Sequence, residues 1–133
     1  MTAFPEAPRA VSTSVRADDA GISVSVRRSN AGRTVVGIGG ELDIAAVMEL
    51  RTVLGEAMAA CEAGRGLALD LSEVTFCDST GLNTLLRARQ RALKEHRSLT
   101  ITAASPQVIR LLEITGAAHL FAEGAGPIPR AMG

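Results

Sequence analysis

Between Ile22 and Phe121 the apolar residues switch repeatedly between a period of two and a period near 3.6, and each switch delimits an element. Ile22, Val24 and Val26 alternate with Ser23, Ser25 and Arg27, as in a half-exposed strand. Ser29-Asn30-Ala31-Gly32 supplies turn residues, and Thr34-Val35-Val36-Gly37-Ile38 resumes as a second strand closed by Gly39-Gly40. These two runs predict a β-hairpin. Glu41-Leu42-Asp43 then leads into a helix whose apolar face is Val47, Leu50, Leu54, Met58 and Cys61. Gly64 and Gly66 bracket its stop. Leu67-Ala68-Leu69-Asp70-Leu71 is too short for a helix between such breakers and reads as a buried strand, with the charge of Asp70 marking an end or an edge.

The longest helical pattern follows. Leu82, Leu85, Leu86, Arg89 and Leu93 form its stripe, surrounded by Arg87, Arg91, Lys94 and Arg97. Leu99, Ile101 and Ala103 alternate as a further strand. Ser105-Pro106 then starts a helix, with Ser at the N-cap and Pro at the first helical position. Val108, Ile109, Leu111, Leu112 and Ile114 fill that helix, and Gly116 ends it. Leu120-Phe121 is a short terminal strand or an apolar plug. Residues 1–19 and 124–133 carry no apolar period and are expected to be a disordered leader and a flexible tail around one domain, 20–123. The order hairpin, helix, strand, helix, strand, helix calls for an α/β fold with a mixed sheet and helices packed against it.

Composition narrows the function. Lys+Arg and Asp+Glu both number 14, and a neutral balance argues against nucleic-acid or anionic-membrane binding, which draws on clustered positive charge. No stretch reaches the ~18 apolar residues of a membrane span, and residues 1–17 hold no apolar block of a secretory signal. A cytoplasmic chain is expected. Cys61 and Cys77 form no CxxC pair and read as two buried thiols. Aromatics make up only 2% of the chain, so the core must be built from Leu, Ile, Val and Ala.

The chemistry gathers at Phe76-Cys77-Asp78-Ser79-Thr80-Gly81-Leu82, where a strand gives way to a helix. Backbone N–H groups at such a junction point outward and suit an anionic group. Asp, Ser and Thr are also preferred helix caps, so a mere cap is the commoner reading of Asp78-Ser79-Thr80. Gly81 tips that balance: glycine in a first helical turn costs up to ~1 kcal/mol relative to Ala, and its benefit is close approach by another group. Asp78 to Leu82, together with Gly40-Glu41-Leu42-Asp43 and the segment Val108 to Gly116, resembles the bacterial anti-sigma factor antagonists with the STAS fold, from about Ile22 to Phe121. The resemblance implies a single STAS domain with a four- to five-stranded mixed sheet. It implies that Ser79 is phosphorylated by a partner that is both anti-sigma factor and serine kinase, that a phosphoserine phosphatase restores it, and that a sigma factor is released when the unmodified form binds. Asp43, Asp78, Thr80, Gly81 and Leu82 are the expected docking residues, and a monomer or weak dimer is the expected state. The chain is then not an enzyme and needs no cofactor or metal. Asn83 and Cys77 depart from the residues common at their positions, and neither alters the phosphoacceptor.

Electrostatics favours such a switch. A phosphoserine adds about −1.5 to −2 charges. At a helix N-terminus that charge gains roughly 0.3–1 kcal/mol, whereas at a contact surface it costs several kcal/mol if it meets like charge or loses water. Other readings are weaker. Leu42 occupies the third glycine position of a GxGxxG beginning at Gly37. Ser79 lacks the GxSxG frame of a hydrolase nucleophile, with His96 and His119 the only histidines to serve it. A scaffold role in a larger signalling assembly, with Ser79 only a cap, remains the alternative. Arg87, Arg91, Lys94 and Arg97 read as a solvated helix face or as a contact for an acidic partner patch.

Overall fold

The computed structural model describes residues 22–28, 33–61, 66–122 and 127–130. The expected leader, the turn at 29–32 and Gly64 lie outside the described residues. The hairpin forms from β1 (Ile22–Arg28) and β2 (Thr34–Leu42), paired antiparallel with Val24 opposite Ile38. β2 does not close at Gly39-Gly40 but continues to Leu42, with register shifts against its other neighbour on both sides of that pair. Gly40 takes φ 97°, a conformation that L side chains adopt rarely. A 3₁₀ turn (Ile44–Ala46) then leads into α1 (Val47–Ala60). Leu50, Leu54, Met58 and Cys61 are buried along its expected face, with Val53 beside them.

The next strand is longer than the sequence pattern suggests. β3 spans Leu67–Cys77 and pairs parallel with both β2 and β4 (Leu99–Ala104), so the sheet order is β1-β2-β3-β4. Asp70 lies inside this central strand and not at an end or edge. Its carboxylate is satisfied in place: Oδ1 accepts from the Ser72 amide at 3.0 Å and from Ser72 Oγ at 2.6 Å, and Oδ2 pairs with Arg27 at 3.4 Å. Burial raises the Asp70 pKa, but the Ser72 hydrogen bonds and then the Arg27 charge outweigh it and leave the group below the usual carboxylate range.

α2 (Ser79–Lys94) buries Leu82, Leu85, Thr84 and Ala92. Leu93 departs from the expected stripe and is 50% exposed, at the last turn. Arg89 belongs to the stripe because its Nε donates to the Leu120 carbonyl at 2.8 Å. Arg97 is no solvated face either: it donates to the Met58 carbonyl at 2.6 Å and so closes the C-terminal end of α1. α3 (Pro106–Thr115) starts at Ser105 and stops at Gly116 as expected, although the Ser105 hydroxyl makes no cap bond. Ile114, expected within that helix's apolar set, is 75% exposed. Leu120-Phe121 forms a short helix, α4 (Ala118–Phe121), in which Phe121 is fully buried and plugs the core. The expected flexible tail is laid against β4 over residues 127–130, where the Ala104 amide donates to the Pro129 carbonyl at 3.1 Å and Ile128 is buried.

Among the described residues, one aromatic side chain therefore closes a core otherwise built from aliphatic and sulfur-bearing residues. Phe121→Ala is expected to cost about 3–5 kcal/mol, read as a lowered denaturant midpoint in urea unfolding. Asp70 has a depressed pKa in the folded chain, so its stabilisation holds above the ordinary carboxylate range and is lost as pH falls through its folded value. Asp70→Asn is expected to flatten the fall in stability below about pH 4, measured by denaturant titrations across pH 3–7.

Candidate functional site

The β2–β3 register ends with Leu42 opposite Cys77. Their successors, Asp43 and Asp78, therefore leave the carboxyl ends of adjacent parallel strands together, each opening a helical segment. Both are caps. Asp43 Oδ1 accepts from the Ala45 amide at 3.1 Å, and Asp78 Oδ1 accepts from the Gly81 amide at 3.0 Å. The Asp78 amide reaches back to the Leu42 carbonyl at 3.3 Å and joins the two strand ends.

Gly81 is buried where α2 crosses the end of β2. A Cβ at this position would run into the Leu42 carbonyl oxygen and stand 3.1 Å from Cys77 Sγ. Cys77 is held from the other side by Gln107 of α3, whose amide accepts from the Cys77 N–H at 2.8 Å and donates to its carbonyl at 3.0 Å. β4 ends at Ala104, so Gln107 takes the place of a neighbouring strand here. Burial, and then the Asp78 charge, push the Cys77 thiol up to about 12. It is an inert wall of the junction.

Against this packing, Ser79 is exposed at the first position of α2. Since Asp78 is the cap, the Ser79 hydroxyl has no capping duty, and it has no hydrogen-bond partner among the described residues. Thr80 is half-buried, and its carbonyl accepts from Thr84 Oγ1 at 2.9 Å. Leu82, placed by sequence reasoning on the docking face, is only 5% exposed and joins the core. It presents nothing to a visitor.

His96 follows the C-terminal end of α2, about 25 Å along the helix from Ser79. His119 sits on α4, beside the Leu120 carbonyl that Arg89 reaches ten residues along α2 from Ser79. Neither imidazole stands within hydrogen-bond reach of Ser79, so no Ser-His pair forms.

The chain is similar to known proteins in sequence and in fold. A family model described as "Mlab, STAS domain" matches residues 25–122. The anti-sigma-B factor antagonist of Bacillus subtilis (strain 168) is 34% identical over 95 residues, 71% of this chain and 84% of the relative. The chain belongs to the STAS-domain family of anti-sigma factor antagonists. The anti-sigma-B factor antagonist of Staphylococcus aureus (strain NCTC 8325 / PS 47) is likewise 34% identical, over 65% of this chain and 78% of its own. Among solved structures, an anti-sigma factor antagonist from Mycobacterium paratuberculosis superposes with a TM-score of 0.66 at 27% identity, covering 90% of this chain and 92% of that one. SpoIIAA in its unphosphorylated form shares the fold, with a TM-score of 0.58 at 22% identity over 77% and 88% of the two chains.

Sequence reasoning missed two residues at this end of the STAS domain. Ile44, in the 3₁₀ turn, is 76% exposed, and Met48, in the first turn of α1, is 71% exposed. Both fall off the Leu50–Leu54–Met58 face, and that offset is the signal that would have found them. They are two large apolar side chains left exposed four residues apart around the start of α1.

The Gly81 contact is testable. Gly81→Ala gains helix propensity but forces the new methyl into backbone, so a net loss of about 1–3 kcal/mol is expected. The readout is the unfolding midpoint of the variant against the parent.

Proposed function

We propose that this STAS domain is an anti-sigma factor antagonist whose docking is switched off by phosphorylation of Ser79. Unmodified, it binds an anti-sigma factor that carries serine kinase activity and so frees a sigma factor; a phosphoserine phosphatase reverses the modification. The observation that carries this reading is the division of labour at the start of α2: Asp78 caps the helix, and Ser79 is left exposed. The names of the relatives support the antagonist role.

Ser79 forms the centre of the docking surface, with Thr80 and the carboxylates of Asp43 and Asp78 around it. The exposed Ile44 and Met48 add apolar area. Gly81 contributes through the close approach that positions Ser79. A phosphate on Ser79 sits at a helix N-terminus, where the local field favours it by about 0.3–1 kcal/mol. The same charge beside Asp43 and Asp78, inside a desolvated interface, opposes binding by several kcal/mol. The interface effect wins, so docking is lost and the fold is kept.

Incubation with the cognate kinase and ATP, followed by phosphopeptide mapping, is expected to place the phosphate on Ser79. Ser79→Ala should abolish labelling and keep affinity within a few-fold of the parent. Ser79→Asp should weaken binding at least about tenfold, equivalent to ~1.4 kcal/mol. Phosphate at another residue, or parental affinity in Ser79→Asp, would contradict the switch.

A further inference from the structure

A groove of about 370 Å³ runs between α1 and α2, beginning at Thr80 beside Ser79 and reaching Arg91, about 16 Å along the helix. Its apolar lining comes from Val47, Leu54 and Met58 of α1 and Ala88 of α2; its charged lining is Arg51, Arg87 and Arg91, with no carboxylate. Arg91 shares its charge with Glu95 at 3.3 Å. Arg51 and Arg87 have no acidic partner among the described residues. The cluster of basic residues noted in the sequence is thus divided by the fold: Arg97 closes α1, while Arg87 and Arg91 turn to the groove.

Gly55 lies in the middle of α1 and lines this groove. Glycine weakens a helix interior, and a Cβ here would meet nothing within 4 Å. Internal packing does not require a glycine at this position. The space above it is open to an occupant from outside.

We propose that this groove seats an acidic amphipathic segment of the protein that docks at Ser79, its apolar side chains over Gly55 and its carboxylates against Arg51 and Arg87. The inference rests on the docking reading above and extends it along the helices. Three observations select the occupant: a lining charge of one sign, an apolar floor between two helices that suits a helical guest, and continuity with the Ser79 surface through Thr80. A phosphate on Ser79 would then stand at the mouth of the groove, placing negative charge where the acidic segment enters.

The test uses the full chain and its anti-sigma kinase, with affinities measured at low and at moderate salt. The double variant Arg51→Glu/Arg87→Glu is expected to remain folded by circular dichroism, to bind at least tenfold more weakly, and to lose much of the parent's salt dependence. Gly55→Leu, which fills the groove without altering charge, should weaken binding similarly. In parallel, amide chemical shifts are recorded with a synthetic Leu/Glu amphipathic helix and a Leu/Lys counterpart. Shifts at Arg51, Gly55 and Arg87 are expected with the acidic peptide alone.

The proposal is overturned if the charge-reversed chain binds the kinase within twofold of the parent while Ser79→Asp weakens binding. It is also overturned if the groove amides respond to decanoate but not to the acidic peptide, which would make the occupant a small anion. A parent chain that binds no anti-sigma kinase would defeat the docking reading, and the peptide shifts would then decide the groove alone.

Discussion

The carbonyl of Leu42 is the fixed point of the structure. It closes β2, accepts the Asp78 amide at 3.3 Å, and bears directly on the bare backbone of Gly81. Any side chain at Gly81 would lift the first turn of α2 away from the sheet. With Gly81 the helix settles onto the strand end, and the register Leu42 opposite Cys77 brings Asp43 and Asp78 out side by side. Gln107 grips Cys77 from the opposite flank through two hydrogen bonds. The junction is therefore held by β2 on one side and α3 on the other, and Ser79 is presented by a rigid support.

That rigidity gives the site its character. Every polar group near Ser79 with a structural duty already performs it: Asp78 caps α2, Asp43 caps the 3₁₀ turn, and Gln107 completes the strand. The Cys77 thiol is buried and stays protonated. The Ser79 hydroxyl contributes to none of these, so its chemistry can change without cost to the fold. A cap is typically worth ~1 kcal/mol; assigning it to the aspartate leaves the neighbouring serine free to be modified. The exposed side chains of Ile44 and Met48 lie near this end of the sheet, and the groove between α1 and α2 begins there at Thr80, so both adjoin the surface proposed for docking.

Much of this was legible in the residues. The hairpin, both amphipathic helices, the Pro106 start and Gly116 stop of α3, and the Asp78–Gly81 junction follow from periodicity and turn chemistry. What sequence alone did not reveal depends on contacts distant in the chain. Asp70 reads as a strand end because a lone charge inside an apolar run is costly; Arg27, two strands away, and Ser72 satisfy it in place. Leu93 and Ile114 fit helical stripes but lie in final turns that the core does not cover. Leu82 carries two sequence expectations, a place on the α2 stripe and a place on the docking face, and its burial meets the first and not the second while Ser79 faces water. The groove is set by how Arg51 of one helix comes to face Arg87 of another, and no local pattern encodes that. Arg97 reads in the sequence as one more surface charge, and only its bond to the Met58 carbonyl, 39 residues away, places it at a helix end.

The central claim is that modification at Ser79 separates docking from folding. Its most direct test is to prepare the chain stoichiometrically phosphorylated at Ser79 and measure, on the same sample, its unfolding free energy and its affinity for the anti-sigma kinase. The account predicts stability within about 1 kcal/mol of the unmodified chain together with at least a tenfold loss of affinity. A phosphorylated chain that unfolds or loses several kcal/mol, or one that stays folded and binds as tightly as before, would contradict it.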